Sequence, residues 1–265
     1  MDRNRKSLIP SPRLSPRGKG RQAGRGFFDA WSYIYDFPLV QLATYRPVHN
    51  AVLGALVEAD SRAILDVGCG TGQLTVRIKE ALAHARVTGC DFSHGMLRHA
   101  ATRSRWINWV QGDAGRLPFG DGVFDVVVST EAFHWFPDQP AALAEIRRVL
   151  APGGRLHLAV VNPPVAAVSA IFHAGSRVIG RPFYWPTSRQ LREQLVAAGF
   201  DVQHQRRVFR VAGFLLPPVL TSAAKPATRA TIVAGRRTPL ANGSSSARGR
   251  RSGPRGPARA RARST

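Results

Sequence analysis

Between residues 62 and 224, apolar runs too short to be helices alternate with longer runs of helical period, and that alternation leaves few folds open. RAILDV (62–67), RVTGCD (86–91), WINWVQGD (106–113), FDVVVST (124–130) and RLHLAVV (155–161) read as strands. QLTVRIKEALAHA (73–85) sets Leu74, Ile78 and Leu82 at helical spacing. SHGMLRHAATRS (93–104) reads as a helix with Ser93 as N-cap, and QPAALAEIRRVL (139–150) as one closed by Pro152-Gly153-Gly154. SRQLREQLVAAGF (188–200) is a helix ended by Gly199; DVQHQRRVFRV and a last short strand, PVLTSAA (218–224), follow. Strands this apolar and β-branched belong in a parallel sheet covered on both faces, so the fold class is α/β, doubly wound.

In such a sheet a ligand sits beyond the carboxyl ends of the strands, where the first strand–helix turn meets it. ILDVGCGTG (64–72) occupies that turn, and Gly68, Gly70 and Gly72 permit positive φ and close backbone approach. The spacing is G-x-G-x-G rather than G-x-G-x-x-G, and no Lys-Ser/Thr follows, so neither a dinucleotide nor a nucleoside triphosphate loop is expected. Asp66, two residues before the first glycine, repels a pyrophosphate but suits an ammonium group. Asp91 ends the next strand, 19 residues past Gly72, where a carboxylate accepts both hydroxyls of a ribose. A ribose, a cationic amino group and no phosphate describe S-adenosylmethionine (SAM). Asp113, in QGDAGRLPF, is placed to accept from an adenine amino group, with Ala114 offering a backbone N–H to the ring.

These stretches, with VTGCDFSHGML, WVQGDAGRLPFGDGVFDVVVSTEAFHWF and EIRRVLAPGGRLHLAVV, resemble the class I SAM-dependent methyltransferases, most closely the type 11 subgroup that includes the ubiquinone/menaquinone C-methyltransferases. The likeness covers roughly residues 27–225. It implies a Rossmann-like, seven-stranded, mostly parallel sheet with one antiparallel strand near the C-terminus, which PVLTSAA would supply. Carried over by position, Asp66, Gly68, Gly70 and Gly72 cradle the methionyl part, Asp91 holds the ribose, Phe92 and Met96 meet the adenine face, and Asp113 and Ala114 meet its edge. Plainer roles stand beside these: a dipole partner of the helix for Asp66, caps for Asp91 and Asp113, helix core for Met96. Asp121 and Asp125 read as turn formers.

Methyl transfer requires alignment and exclusion of water, and a base only where the acceptor loses a proton. Glu131 and His134, in STEAFHWF after the fourth strand, are the catalytic candidates, with packing or a lid over the cofactor as the other role for His134-Trp135. Thr130 offers its backbone near the cofactor's amino group. FFDAWSYIYDF (27–37) holds six aromatics, and 162–186 is an apolar insertion; the resemblance makes 27–60 a cap and 162–186 a lid over the acceptor, and the alternative makes them plain covering helices. A pocket so lined suits a hydrophobic small molecule: a quinone, a phenol or a lipid-like acceptor. No metal site is expected.

The net charge of +22 argues for a nucleic-acid partner only if it sits on the domain. Residues 1–26 carry +7 and residues 226–265 carry +10, which leaves +5 for the middle. Both ends are poor in large apolar side chains and are expected to be disordered tails. The C-terminal tail is either a basic arm or an extension without selected role, and its lack of a stacking aromatic favours the second. A nucleic-acid methyltransferase would show Asn-Pro-Pro-aromatic or Pro-Cys after the fourth strand; here Asn162-Pro163-Pro164 follows the fifth and lacks the aromatic. A SAM-binding protein without transferase activity is the other rival. Two cysteines, Cys69 and Cys90, give no disulfide framework and fit a reducing cytoplasm. No apolar run spans a bilayer, although the apolar cap and basic N-terminus make a peripheral membrane contact a further expectation.

Overall fold

Ala63–Val67 forms strand β1 and is buried at all five positions, as a strand covered by helices on both sides must be. This computed structural model describes residues 45–57, 61–161, 184–208 and 218–227. The basic tails, the aromatic stretch 27–37 and most of the 162–186 insertion lie outside them. Helix α1 is Arg46–Val57, α2 Gln73–Ala81, α3 His94–Arg103, α4 Gln139–Val149 and α5 Ser188–Ala197. The further strands are β2 Arg86–Asp91, β3 Asn108–Gln111, β4 Phe124–Thr130, β5 Leu150–Val161, β6 Asp201–Arg207 and β7 Pro218–Ala224.

They build one seven-stranded sheet in the order β3-β2-β1-β4-β5-β7-β6. β7 alone runs against its neighbours, pairing antiparallel with both β5 and β6. Alternate residues divide the core into two layers. Leu65, Val67, Val127, Leu156 and Leu158 pack with Leu143 and Ile146 of α4 and Leu191 and Leu195 of α5. Ile64, Val126, Val128 and Val87 pack with Val48, Val52 and Leu56 of α1 and Leu74 and Ile78 of α2. In the parallel ladders Asp66 stands opposite Gly89 and Val128, and Asp91 opposite Gln111. The turns leaving β1, β2, β3 and β4 therefore emerge along one edge, with the change of direction in strand order falling between β1 and β4.

Several elements depart from the sequence reading. The helix expected over 73–85 stops at Ala81, where Leu82 leaves helical geometry and the Lys79 ammonium donates to the carbonyls of Ala83 and Ala85 at 2.7 and 2.8 Å. Pro152-Gly153-Gly154 lies inside β5, where the register against β4 shifts and Gly153 and Gly154 exchange hydrogen bonds with Lys225. Asp121 sits in the expected turn. Asp125 does not: it is a β4 residue whose Oδ2 accepts from the backbone of Arg62 and Ala63, both at 2.9 Å, and so fixes the start of β1. β6 buries only Val202 completely, and an edge strand so polar has no apolar alternation to announce it. Among the described residues no helix is long and apolar enough to cross a membrane.

Candidate active site

The three glycines of 68–72 all adopt positive φ, at 73°, 56° and 79°, but they face different surroundings. A Cβ on Gly68 would lie 2.4 Å from Ala132 Cβ, and one on Gly72 would lie 2.4 Å from the Trp109 ring. Around Gly70 there is nothing within 4 Å. Gly68 and Gly72 thus make room for the protein itself, and Gly70 alone presents a bare backbone to open space.

Asp91 holds this turn in shape. Its Oδ2 accepts from the Gly70 N–H and its Oδ1 from the Ser93 N–H, each at 2.8 Å. The Cys90 carbonyl accepts from Gly68 and Cys69, tying the turn to the end of β2. Ser93 caps α3 as expected, its Oγ accepting from the Met96 N–H at 3.1 Å. Phe92 lies half-buried beside Asp91, its carbonyl accepting from Gln111 Nε2 at 3.0 Å, and Met96 in α3 is buried. Asp113 follows β3, accepting from Gly115 N–H at 3.0 Å, and Ala114 is packed against the core.

Asp66 is 1% exposed, near the end of β1. Thr75 Oγ1 donates to its Oδ2 at 2.7 Å, and its Oδ1 has no hydrogen-bond partner among the described residues. Burial, seconded by the charge of Asp91 and opposed by the Thr75 bond, pushes its carboxyl up to about 7. Cys69 and Cys90 are buried free thiols raised by desolvation, which leaves them unreactive.

On the other side of the crevice, Thr130 ends β4 opposite Ala159, and Glu131 takes φ 52°, its N–H donating to the Ala159 carbonyl at 2.7 Å. A non-glycine residue in this region is uncommon and costs of order 1 kcal/mol. It turns the chain into the 3₁₀ turn Phe133–Trp135. His134 is buried in that turn, its ring 5.1 Å from Trp135 and 5.4 Å from Trp185. Burial lowers it to about 3, and among the described residues Nδ1 has no partner. The Tyr184 N–H donates to the His134 carbonyl at 2.9 Å, and Gln139 Nε2 donates to the carbonyls of both Phe133 (3.1 Å) and Tyr184 (2.8 Å). Gln139 thereby binds the start of α4 to the chain that precedes α5.

A methyltransferase domain matches residues 65–158. A relative named demethylmenaquinone methyltransferase, from Thermus thermophilus, is 36% identical over 196 residues, which is 64% of this chain and 88% of that protein. The chain belongs to the SAM-dependent methyltransferases. A malonyl-[acyl-carrier protein] O-methyltransferase of Geobacter sulfurreducens is 38% identical over 52% of this chain and 55% of its own length. The fold is shared by the 1,6-didemethyltoxoflavin-N1-methyltransferase of Burkholderia thailandensis, solved with S-adenosylhomocysteine (TM-score 0.60, 23% identity, 82% of this chain and 93% of that one). Methyltransferases of this family take the methyl group from SAM, and the open space at Gly70 beside an orphaned, buried carboxylate oxygen fits a ligand that approaches the backbone and carries a cation.

Three residues of this methyltransferase's site escape sequence reasoning. Trp109 covers Gly72 and also Gly89, where a Cβ would lie 2.5 Å from the ring; a glycine inside a strand is the one signal of such an approach. Thr75 and Gln139 look like ordinary helix residues, and no local pattern marks Asp66, or Phe133 and Tyr184, as their partners.

Proposed function

We propose that this enzyme methylates a hydrophobic small-molecule acceptor, quinone-, phenol- or lipid-like, with residues 27–225 as the catalytic domain and 1–26 and 226–265 as tails. The observation that carries the proposal is the aromatic cluster of His134, Trp135 and Trp185 that follows β4, with His134 held uncharged. The demethylmenaquinone methyltransferase relatives support the same acceptor class. In this reading Asp66 takes the methionyl ammonium, Gly68, Gly70 and Gly72 cradle it, and Thr130 lends its backbone. Asp91 takes the ribose, Phe92 and Met96 the adenine face, and Asp113 and Ala114 its edge.

The chemistry supplied by the bound donor is an electrophilic methyl group on a sulfonium. What remains for the protein is to align the acceptor and exclude water. Proton removal, where the acceptor needs it, falls to His134 or Glu131: the imidazole is uncharged and so in its proton-accepting form, although burial makes it a weaker base than usual. The cap at 27–60 and the lid at 162–186 complete the acceptor pocket, the lid's end being the Tyr184–Pro186 segment that Gln139 fastens.

The test is calorimetric titration of the full chain with SAM and S-adenosylhomocysteine, beside Asp91→Ala, followed by methyl transfer to a demethylated naphthoquinol and, separately, to malonyl-acyl carrier protein. Micromolar binding lost in the variant, with transfer to the quinol, supports the proposal; transfer to the carrier protein alone refutes the acceptor class.

A further inference from the structure

We propose that Thr75 is a positioning residue for the cofactor: its hydroxyl ties down one oxygen of Asp66 and leaves the other to accept from the α-ammonium of SAM. The inference rests on the assignment of Asp66 to the methionyl end made above. Thr75 is fully buried in the first turn of α2, and Asp66 is buried beneath it at the end of β1. Their 2.7 Å contact is the one hydrogen bond to the Asp66 carboxylate among the described residues. Oδ1, with no partner among the described residues, pays a desolvation penalty that a cation would relieve, and the glycine turn that admits a ligand begins two residues on. Without the Thr75 bond the carboxyl group could rotate and exchange its oxygens; with it, one acceptor direction is preset.

The arrangement also couples cofactor binding to a proton. From β2 the groups facing Asp66 are Cys90 and Asp91, and from the turn Cys69; the thiols stay neutral and Asp91 supplies the one charge bearing on it. β4 contributes Val128 at the paired position, and α1, packed on the same face, carries His49, uncharged through burial. Burial and Asp91 favour the protonated acid, while the Thr75 hydroxyl favours the anion that an ammonium requires. The carboxyl titrates at about 7, so acidification below that value must cost affinity, and removing the hydroxyl must carry the whole profile to higher pH.

The experiment is calorimetric binding of SAM and S-adenosylhomocysteine to the full chain between pH 5.5 and 7.5, for the wild type, Thr75→Val, Thr75→Ser and Asp66→Asn, each checked for folding by thermal melt. In the wild type, affinity for both ligands is expected to fall roughly eightfold from pH 7.5 to 6.0, one proton being taken up. Thr75→Val, of the same shape, is expected to shift the profile upward by about one pH unit, weakening binding at pH 7.5 roughly threefold, and Thr75→Ser to restore it. A pH-independent wild-type affinity, or a uniform loss in Thr75→Val that Thr75→Ser does not repair, overturns the inference. Asp66→Asn with wild-type affinity and pH dependence instead overturns the assignment of Asp66 itself.

Discussion

Gly72 lies under the indole of Trp109, so close that a Cβ would stand 2.4 Å from the ring. It also adopts φ 79° as the residue from which α2 departs. Both conditions exclude a side chain. Gly72→Ala is expected to destabilise the protein by about 2–4 kcal/mol, combining left-handed backbone strain with overpacking. Urea unfolding measures this, and a double-mutant cycle with Trp109→Ala separates the terms: truncating the indole should restore the packing share and leave the backbone share.

Gln139 is buried at the start of α4, where its amide donates to the carbonyls of Phe133 and Tyr184 and its Oε1 accepts from Gln194 at 3.3 Å. Gln139→Leu keeps the volume and orphans the two carbonyls. A loss of about 1–3 kcal/mol is expected. Among the described residues the Gln139 amide bonds to Phe133, Tyr184 and Gln194 and not to the turn at Gly68–Gly72 or to Asp91, so affinity for S-adenosylhomocysteine should stay within about twofold of wild type. Unfolding and titration on the same variant check both halves.

Among the described residues three histidines are buried uncharged. Burial lowers His49 to about 3, His134 to about 3 and His157, bonded through Nδ1 to Ser222 Oγ at 2.9 Å, to about 4. A folded value below the unfolded one means stability present above about pH 6.5 and lost as pH falls toward the folded values. Asp66 acts in the opposite sense, since its raised value lets the folded state take up a proton as pH drops below about 7. Between pH 7 and 5.5 each histidine costs about 1.3 kcal/mol and Asp66 returns about 1.6, a net loss of about 2 kcal/mol. Urea midpoints at the two pH values measure it; stability that stays level or rises contradicts the sign, and His157→Gln should cut the loss by more than half, to about 1 kcal/mol.

What the sequence discloses here is what is local. Strand–helix alternation, the glycine turn, the Ser93 cap and the acids at the ends of β1 and β2 are set by residues within a few positions of one another, and all can be read from the chain. The reasons for Gly68 and Gly72 cannot, because Ala132 and Trp109 reach them only through the folded sheet. Asp125 looks like a turn residue because its two partners, Arg62 and Ala63, come from a strand brought alongside by pairing. His134 shows the same limit in its chemistry. Its place after β4 is visible in the sequence, whereas its neutrality comes from burial among side chains that include Trp185, 51 residues away.

Arg148, in the last turn of α4, holds the segment between Asp113 and β4. Its Nε and Nη2 donate to the two oxygens of Glu145 at 2.7 and 2.8 Å, its Nη1 to Asp121 at 2.7 Å and to the Phe119 carbonyl at 2.8 Å, and its Nη2 also to the Leu117 carbonyl at 3.1 Å. Glu145 in turn accepts from the Leu117 N–H at 2.8 Å, and the Arg148 bond holds its carboxyl below the usual range. A lysine carries the charge but cannot fan five donors over two carboxylates and two carbonyls. Arg148→Lys is therefore expected to lose most of what Arg148→Ala loses, about 2–3 kcal/mol for the latter. If the network were mainly a surface ion pair, Arg148→Lys would be nearly neutral and 0.5 M salt would weaken the wild type as much as the substitution does. Because two of its contacts are neutral carbonyls, salt should remove only a minor part, and urea unfolding of the three proteins at low and high salt decides between the two accounts.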